Sequence, residues 1–159
     1  MTIFEREIST AREAWGESLI AISKKYDEQG IYAARSLAEK ILDTSYGYDL
    51  GPVLFKPTLS GGEQTFRITK KGALSYFVGH DSDFPDDEGF GIRGWCKVES
   101  KTAASFIEGN VGMWMGNFYF INRNNEITTV DKTFGYKKGV DGALRIILHH
   151  SSLPYQKSK

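Results

Sequence analysis

The second half of the chain consists of long apolar and polar alternations divided by turn chemistry, a pattern that few architectures satisfy. Trp95 to Glu108, Val111 to Ile121, Glu126 to Tyr136 and Ala143 to His150 each have the length and alternation of a strand. They are separated by Gly109-Asn110, Asn122-Arg-Asn-Asn125 and Lys138-Gly-Val-Asp-Gly142. Glycine, asparagine and aspartate tolerate the backbone angles of tight turns, so successive strands reverse direction. The result is an antiparallel sheet.

The first half has a different period. Phe4, Ile8, Ala11, Trp15, Leu19, Ile22 and Tyr26 recur at steps of three and four, which marks one apolar stripe along a long helix. Gly30 is its expected stop, and Ala34, Leu37, Ala38, Ile41 and Leu42 mark a second helix that ends near Gly47. Val53 to Thr58 and Thr65 to Ile68 read as short strands around a Gly61-Gly62 turn. Thr69 then caps a third helix from Lys70 to Val78, closed by Gly79, and His80 to Gly94 reads as a long, solvated acidic loop. Helices first and sheet afterwards give an α+β fold. The expected domain is a single one over residues 1–159, the last few residues forming a tail.

The chain carries 20 basic and 20 acidic side chains and no net charge, which excludes the electrostatic footprint of a nucleic-acid or anionic-membrane binder. Cys96 is the single cysteine, so neither an internal disulfide nor a cysteine-based zinc site can form. No signal-like start or membrane-length apolar run is present, and a cytoplasmic location is expected. Neither metal nor cofactor is expected.

Three motif matches fail on context. Leu59-Ser-Gly-Gly-Glu-Gln64 matches the signature loop of transport ATPases, but the chain has no Gly-Lys pair from which to build a phosphate-binding loop. Gly89-Phe-Gly-Ile-Arg-Gly94 has dinucleotide spacing but precedes a strand rather than a helix. The acids Asp81, Asp83, Asp86, Asp87 and Glu88 lack calcium-loop spacing.

The last strand ends in His149-His-Ser-Ser152, where apolar residues give way to polar ones at the mouth of a pocket. Adjacent strand residues point to opposite faces, so the two histidines cannot share a metal. Leu144, Ile146 and Leu148 form the more apolar face, which carries His150 inward and leaves His149 outside. Asp131 on the neighbouring strand is its candidate acid–base partner. The alternative is a surface ion pair between Asp131 and Lys132.

The order of elements, with Val53-Leu-Phe-Lys-Pro-Thr58, Lys132-Thr-Phe-Gly-Tyr-Lys-Lys138, Asp141-Gly142 and Leu148-His-His-Ser-Ser-Leu-Pro154, resembles the nuclear transport factor two-like, or SnoaL-like, superfamily. Within it the chain looks most like bacterial relatives of the association domain of calcium/calmodulin-dependent protein kinase. The resemblance implies a cone: a strongly bent antiparallel sheet around a cavity closed by about three helices, with homodimers formed through the sheet. The arginines of association-domain cavities are replaced at positions near Phe118, Thr133 and His150. The aspartate and tyrosine of isomerase members match Asp131 and either Tyr119 or Tyr26 loosely. The leading expectation is a domain of unknown function whose cone binds a small, partly apolar molecule, without demonstrated catalysis. Its walls would be Trp15, Leu19, Tyr26, Phe55, Tyr119, Asp131, Thr133 and His150. The alternatives are an acid–base isomerase, dehydratase or hydrolase using His150 and Asp131, and a pure oligomerisation module.

Overall fold

A computed structural model describes residues 1–158; Lys159, the last position of the expected tail, lies outside them. Helix α1 spans Glu5–Gln29, and the predicted stripe buries Ile8, Trp15, Leu19 and Ile22. Its first turn is tied by the Phe4 N–H, which donates to the Glu7 carboxylate at 2.8 Å. Gly30 takes a φ of 86°, open to glycine without strain, and the chain turns at once into α2, Ile31–Ser45. Helix α3, Lys70–Val78, starts where Thr69 accepts from the Gly72 N–H at 3.2 Å and stops at Gly79, as its caps predict.

Five strands form one sheet: β1 (Leu54–Lys56), β2 (Trp95–Glu108), β3 (Val111–Asn122), β4 (Ile127–Lys138) and β5 (Leu144–Ser152). Their order is β1-β5-β4-β3-β2, and β2 to β5 pair antiparallel in sequence. Strand β1 joins β5 in parallel, so the sheet is mixed rather than wholly antiparallel. Thr65 to Ile68 forms no strand: it meets β1 through a backbone bond, the Arg67 N–H donating to the Phe55 carbonyl at 2.7 Å, and Gly62–Gln64 is a single 3-10 turn. The acidic loop is only partly solvated: Asp87 is buried in a bidentate pair with Arg67, at 2.6 and 2.7 Å, and accepts from Ser75.

The helices cover one face of the bent sheet. Trp114, Phe118, Phe120, Val130, Phe134, Tyr136 and Ile146 point from that face into the core and meet Trp15, Leu19 and Ile22. Between β4 and β5 the register slips: Gly135 lies opposite Leu148 but Tyr136 lies opposite Ile146. Ile147 is the extra residue of this bulge, and it reverses which residues of β5 face inward. Ile146 is inward before the bulge; His149 and Ser151 are inward after it. Among the described residues no helix is long and apolar enough to cross a membrane.

Candidate functional site

The bulge puts His149 where the alternation places His150. His149 is 2% exposed, whereas His150 is exposed on the outer face. Phe55 of β1 stacks on the His149 ring, with centroids 4.4 Å apart and planes 11° from parallel, and Phe134 packs on its other flank. Trp15 meets it edge-on at 5.4 Å. The imidazole is therefore held by aromatic packing as well as hydrogen bonds.

Those hydrogen bonds form a buried chain. Trp15 Nε1 donates to Tyr46 Oη at 2.9 Å; Tyr46 Oη lies 2.8 Å from His149 Nδ1; His149 Nε2 lies 2.7 Å from Lys132 Nζ. Lys132 in turn donates to Ser151 Oγ at 2.6 Å. An indole can only donate, so Tyr46 accepts from it. Burial holds Lys132 well below the usual lysine range, which favours its neutral amine. Burial, then the neighbouring Lys132, holds His149 well below the usual histidine range. Lys132 Nζ also lies 4.5 Å from the Trp15 ring and 5.4 and 5.5 Å from Phe118 and Phe134, so its surroundings are π faces.

Above this pair lies a small cavity of about 10 Å³, where Thr58, Tyr76, Lys132, His149 and Ser151 supply the polar wall and Phe55, Phe77, Phe90 and Trp15 the apolar one. That is close to the roughly 10–15 Å³ that a single water needs, so it suits only a molecule of few atoms. Two of the hydroxyls have an acceptor side engaged from behind: the Leu59 N–H donates to Tyr76 Oη at 3.2 Å, and Lys132 donates to Ser151 Oγ. The Tyr76 and Ser151 hydrogens are left to point into the cavity, and Thr58 stands beside Tyr76. Burial pushes the Tyr76 phenol up to about 12, so it stays protonated. Lys56 Nζ holds the backbone carbonyl of Ser151 at 2.9 Å and anchors the end of β5.

Of the residues expected at the site, Trp15 and Phe55 line this cavity. Leu19 instead lines a narrow apolar cleft between α1 and α2, and Tyr26 packs beside His80 at 6.2 Å. The inward placement expected of His150, Asp131, Thr133 and Tyr119 is corrected. Thr133 lies opposite His150, Asp131 opposite Ser152 and Tyr119 opposite Thr129, all alternating with the buried residues of their strands. Asp131 accepts from Asn117 Nδ2 at 2.7 Å on that outer face. The expected surface pair of Asp131 with Lys132 also fails, since Lys132 is 4% exposed and points inward. Lys132 alternates with Val130 and Phe134 on the apolar face of β4, and that is the sequence signal that marks it. Thr58, Tyr76 and Tyr46 come from separate elements and carry no comparable signal.

Comparison with known proteins follows this geometry. A family model described as metal-independent carbonic anhydrase matches residues 6–153. A metal-independent carbonic anhydrase from Nostoc sp. (strain PCC 7120 / SAG 25.82 / UTEX 2576) is 54% identical over 155 residues, covering 98% of this chain and 76% of that protein. The crystal structure of a cyanobacterial iota-carbonic anhydrase complexed with bicarbonate superposes with a TM-score of 0.97 at 53% identity, covering 98% of this chain and 95% of the other. A putative calcium/calmodulin-dependent protein kinase II association domain from Xanthomonas campestris shares the fold alone, with a TM-score of 0.59 at 19% identity over 96% of this chain and 89% of that one. The cone expected from the resemblance is the observed fold, but the association domains are not the nearest family. The expectation of a binding domain of unknown function, without demonstrated catalysis, is overturned by the same matches. With its model spanning nearly the whole length, the chain belongs to the metal-independent carbonic anhydrases.

Proposed function

We propose that this chain interconverts carbon dioxide and bicarbonate at the cavity between Thr58, Tyr76, His149, Ser151 and Lys132, with Trp15 and Phe55 as walls. The observation that carries the reading is an amine–imidazole pair buried beneath hydroxyls, in a cavity of few-atom size. Bicarbonate bound to the cyanobacterial relative supports it.

Carbon dioxide is apolar and matches the wall of Phe55, Phe77 and Phe90. Water held at Ser151 attacks its carbon. As the C–O bond forms, a water proton moves through the Ser151 hydroxyl to the Lys132 lone pair, once the amine rotates toward it. The charge that develops on the former carbon dioxide oxygens is met by the Tyr76 and Thr58 hydroxyls. Water, carbon dioxide and the amine thereby become bicarbonate and an ammonium. Desolvation makes that ammonium costly, so once bicarbonate has left the proton returns through the Ser151 hydroxyl to water rather than resting there. A base strong enough to take the proton and buried enough to release it substitutes for the charge a metal would provide.

Oxygen-18 exchange between carbon dioxide and water, followed by mass spectrometry after exhaustive chelation, tests this. Exchange well above the uncatalysed rate is expected; exchange at that rate overturns the reading. Among the described residues no group of three or more histidine, cysteine, aspartate or glutamate side chains is arranged to hold a metal. The outer sheet face exposes Phe106, Met113 and Met115, the surface on which a second copy would pair, and light scattering at micromolar concentration tests that assembly.

A further inference from the structure

The buried cavity of the proposed reaction exchanges an anion with water. We infer that the cleft outside Tyr76 and Phe90 is the mouth of that cavity, and that Arg93 draws bicarbonate into it in exchange for Glu88; the inference rests on the carbonic anhydrase reading above.

Tyr76 and Phe90 line two spaces at once, the reactive cavity and an open cleft beside the acidic loop. Their rings stack, with centroids 5.7 Å apart and planes 12° from parallel, and they keep 6% and 4% of their surface exposed. The pair is therefore the partition between the two spaces. The Tyr76 oxygen is held by the N–H of Leu59, whose own side chain is exposed in the cleft wall. The narrow cleft between α1 and α2 also shares residues with the cavity, Trp15 and Phe77. That cleft is walled mainly by apolar side chains such as Leu19, Ile22 and Ile41, and it holds about 10 Å³. The cleft beyond Tyr76 and Phe90 holds about 270 Å³. A hydrated anion fits only the larger, polar one.

Charge singles out Arg93. Of the acids in the cleft wall, Asp87 is neutralised by Arg67, while Asp86 and Glu88 are exposed and repel an approaching anion. Arg93 is the one basic side chain in that wall. Its side chain is 39% exposed and meets Glu88, 79% exposed, through a contact of 2.8 Å. An exposed pair of this kind is weak, so bicarbonate takes the place of Glu88 at little cost. Burial raises the Tyr76 phenol, and the Arg93 charge is among the groups that oppose that rise. The guanidinium therefore acts on the same hydroxyl that meets the substrate. Its place at the rim is fixed: the 3-10 turn Phe90–Ile92 just before it is pinned by Trp95 Nε1, which donates to the Phe90 carbonyl, and by Ser23, which donates to the Gly91 carbonyl, each at 2.6 Å.

The test is Arg93→Gln, which removes the charge and keeps a polar side chain at the exposed rim. In stopped-flow dehydration at low ionic strength, KM for bicarbonate rises about three- to tenfold with kcat unchanged. The equilibrium of the overall reaction is fixed, so kcat/KM for hydration falls by the same factor. Arg93→Lys keeps the charge and stays within about twofold of the unaltered protein, and Glu88→Gln, which frees the guanidinium, lowers KM. In about 0.5 M salt the effect of Arg93→Gln shrinks to within about twofold, because the charge is screened. The inference is overturned by an unchanged KM in Arg93→Gln, a rise that salt does not erase, an Arg93→Lys protein as weak as Arg93→Gln, or a Glu88→Gln protein whose KM does not fall. If the unaltered protein shows no oxygen-18 exchange, the carbonic anhydrase reading itself fails, which is a different result from an active protein indifferent to Arg93.

Discussion

Nζ of Lys132 lies 2.7 Å from Nε2 of His149, and the pair's remaining partners are the hydroxyls of Ser151 and Tyr46. Two bases in contact are both buried, and burial disfavours the charged form of either. That relationship underlies the chemistry and has a measurable cost in stability.

Replacing the amine, Lys132→Met, separates the two. In the unfolded chain lysine is protonated up to about pH 10.4, whereas burial holds folded Lys132 well below that range. Between those two values the unfolded state binds more protons, and the protein gains up to about 1.4 kcal/mol per pH unit from this group as pH rises toward 10. The methionine variant lacks that gain. Urea unfolding at pH 7 and pH 10 should show the stability difference moving in favour of the variant at the lower pH. A difference that stays flat means that Lys132 is charged in the fold. Activity of the variant should fall roughly 100-fold or more, the range for losing a general base.

The hydroxyl donors act on charge that develops during reaction. Tyr76→Phe and Ser151→Ala should each lower kcat roughly 10- to 1,000-fold, with melting temperature moving little in comparison. A rise in KM at constant kcat would instead assign them to ground-state binding.

The bulge can be attacked without touching the site. A Cβ on Gly135 would meet the Leu148 Cβ at 2.8 Å, and both atoms are fixed to backbone. Gly135→Ala should destabilise by about 1–3 kcal/mol and lower activity, because β5 must shift and His149 shifts with it. Wild-type stability together with wild-type exchange would show that the close approach at Gly135 does not position His149.

The Arg67–Asp87 pair is 3% and 5% exposed and closes the α3 side of the molecule. Asp87→Asn leaves the guanidinium without its charged partner and should cost about 3–5 kcal/mol, read as a lower urea midpoint at unchanged slope.

The helices and their limits were legible in local chemistry: Thr69 and Gly79 frame α3, and Gly30 divides α1 from α2. The strand runs and their glycine and asparagine turns were equally legible, and with the helical stripe they are enough for an α+β cone. Lys132 carried a signal, as the one charge on the apolar side of β4, but its charge reads as half of a surface pair with Asp131. The site as a whole was not. Alternation assigns His150 inward because it assumes an unbroken period of two, and one extra residue, Ile147, reverses it. Whether a bulge forms there depends on how closely β4 approaches at Gly135, a pairing between residues far apart in sequence. Thr58, Tyr76 and Tyr46 reach the His149 neighbourhood from three different segments. Local sequence determined the elements, because caps, turns and periodicity act over a few residues. Only the tertiary structure decided which face of β5 is buried and which hydroxyls surround it, because those depend on strand register and on contacts between distant segments.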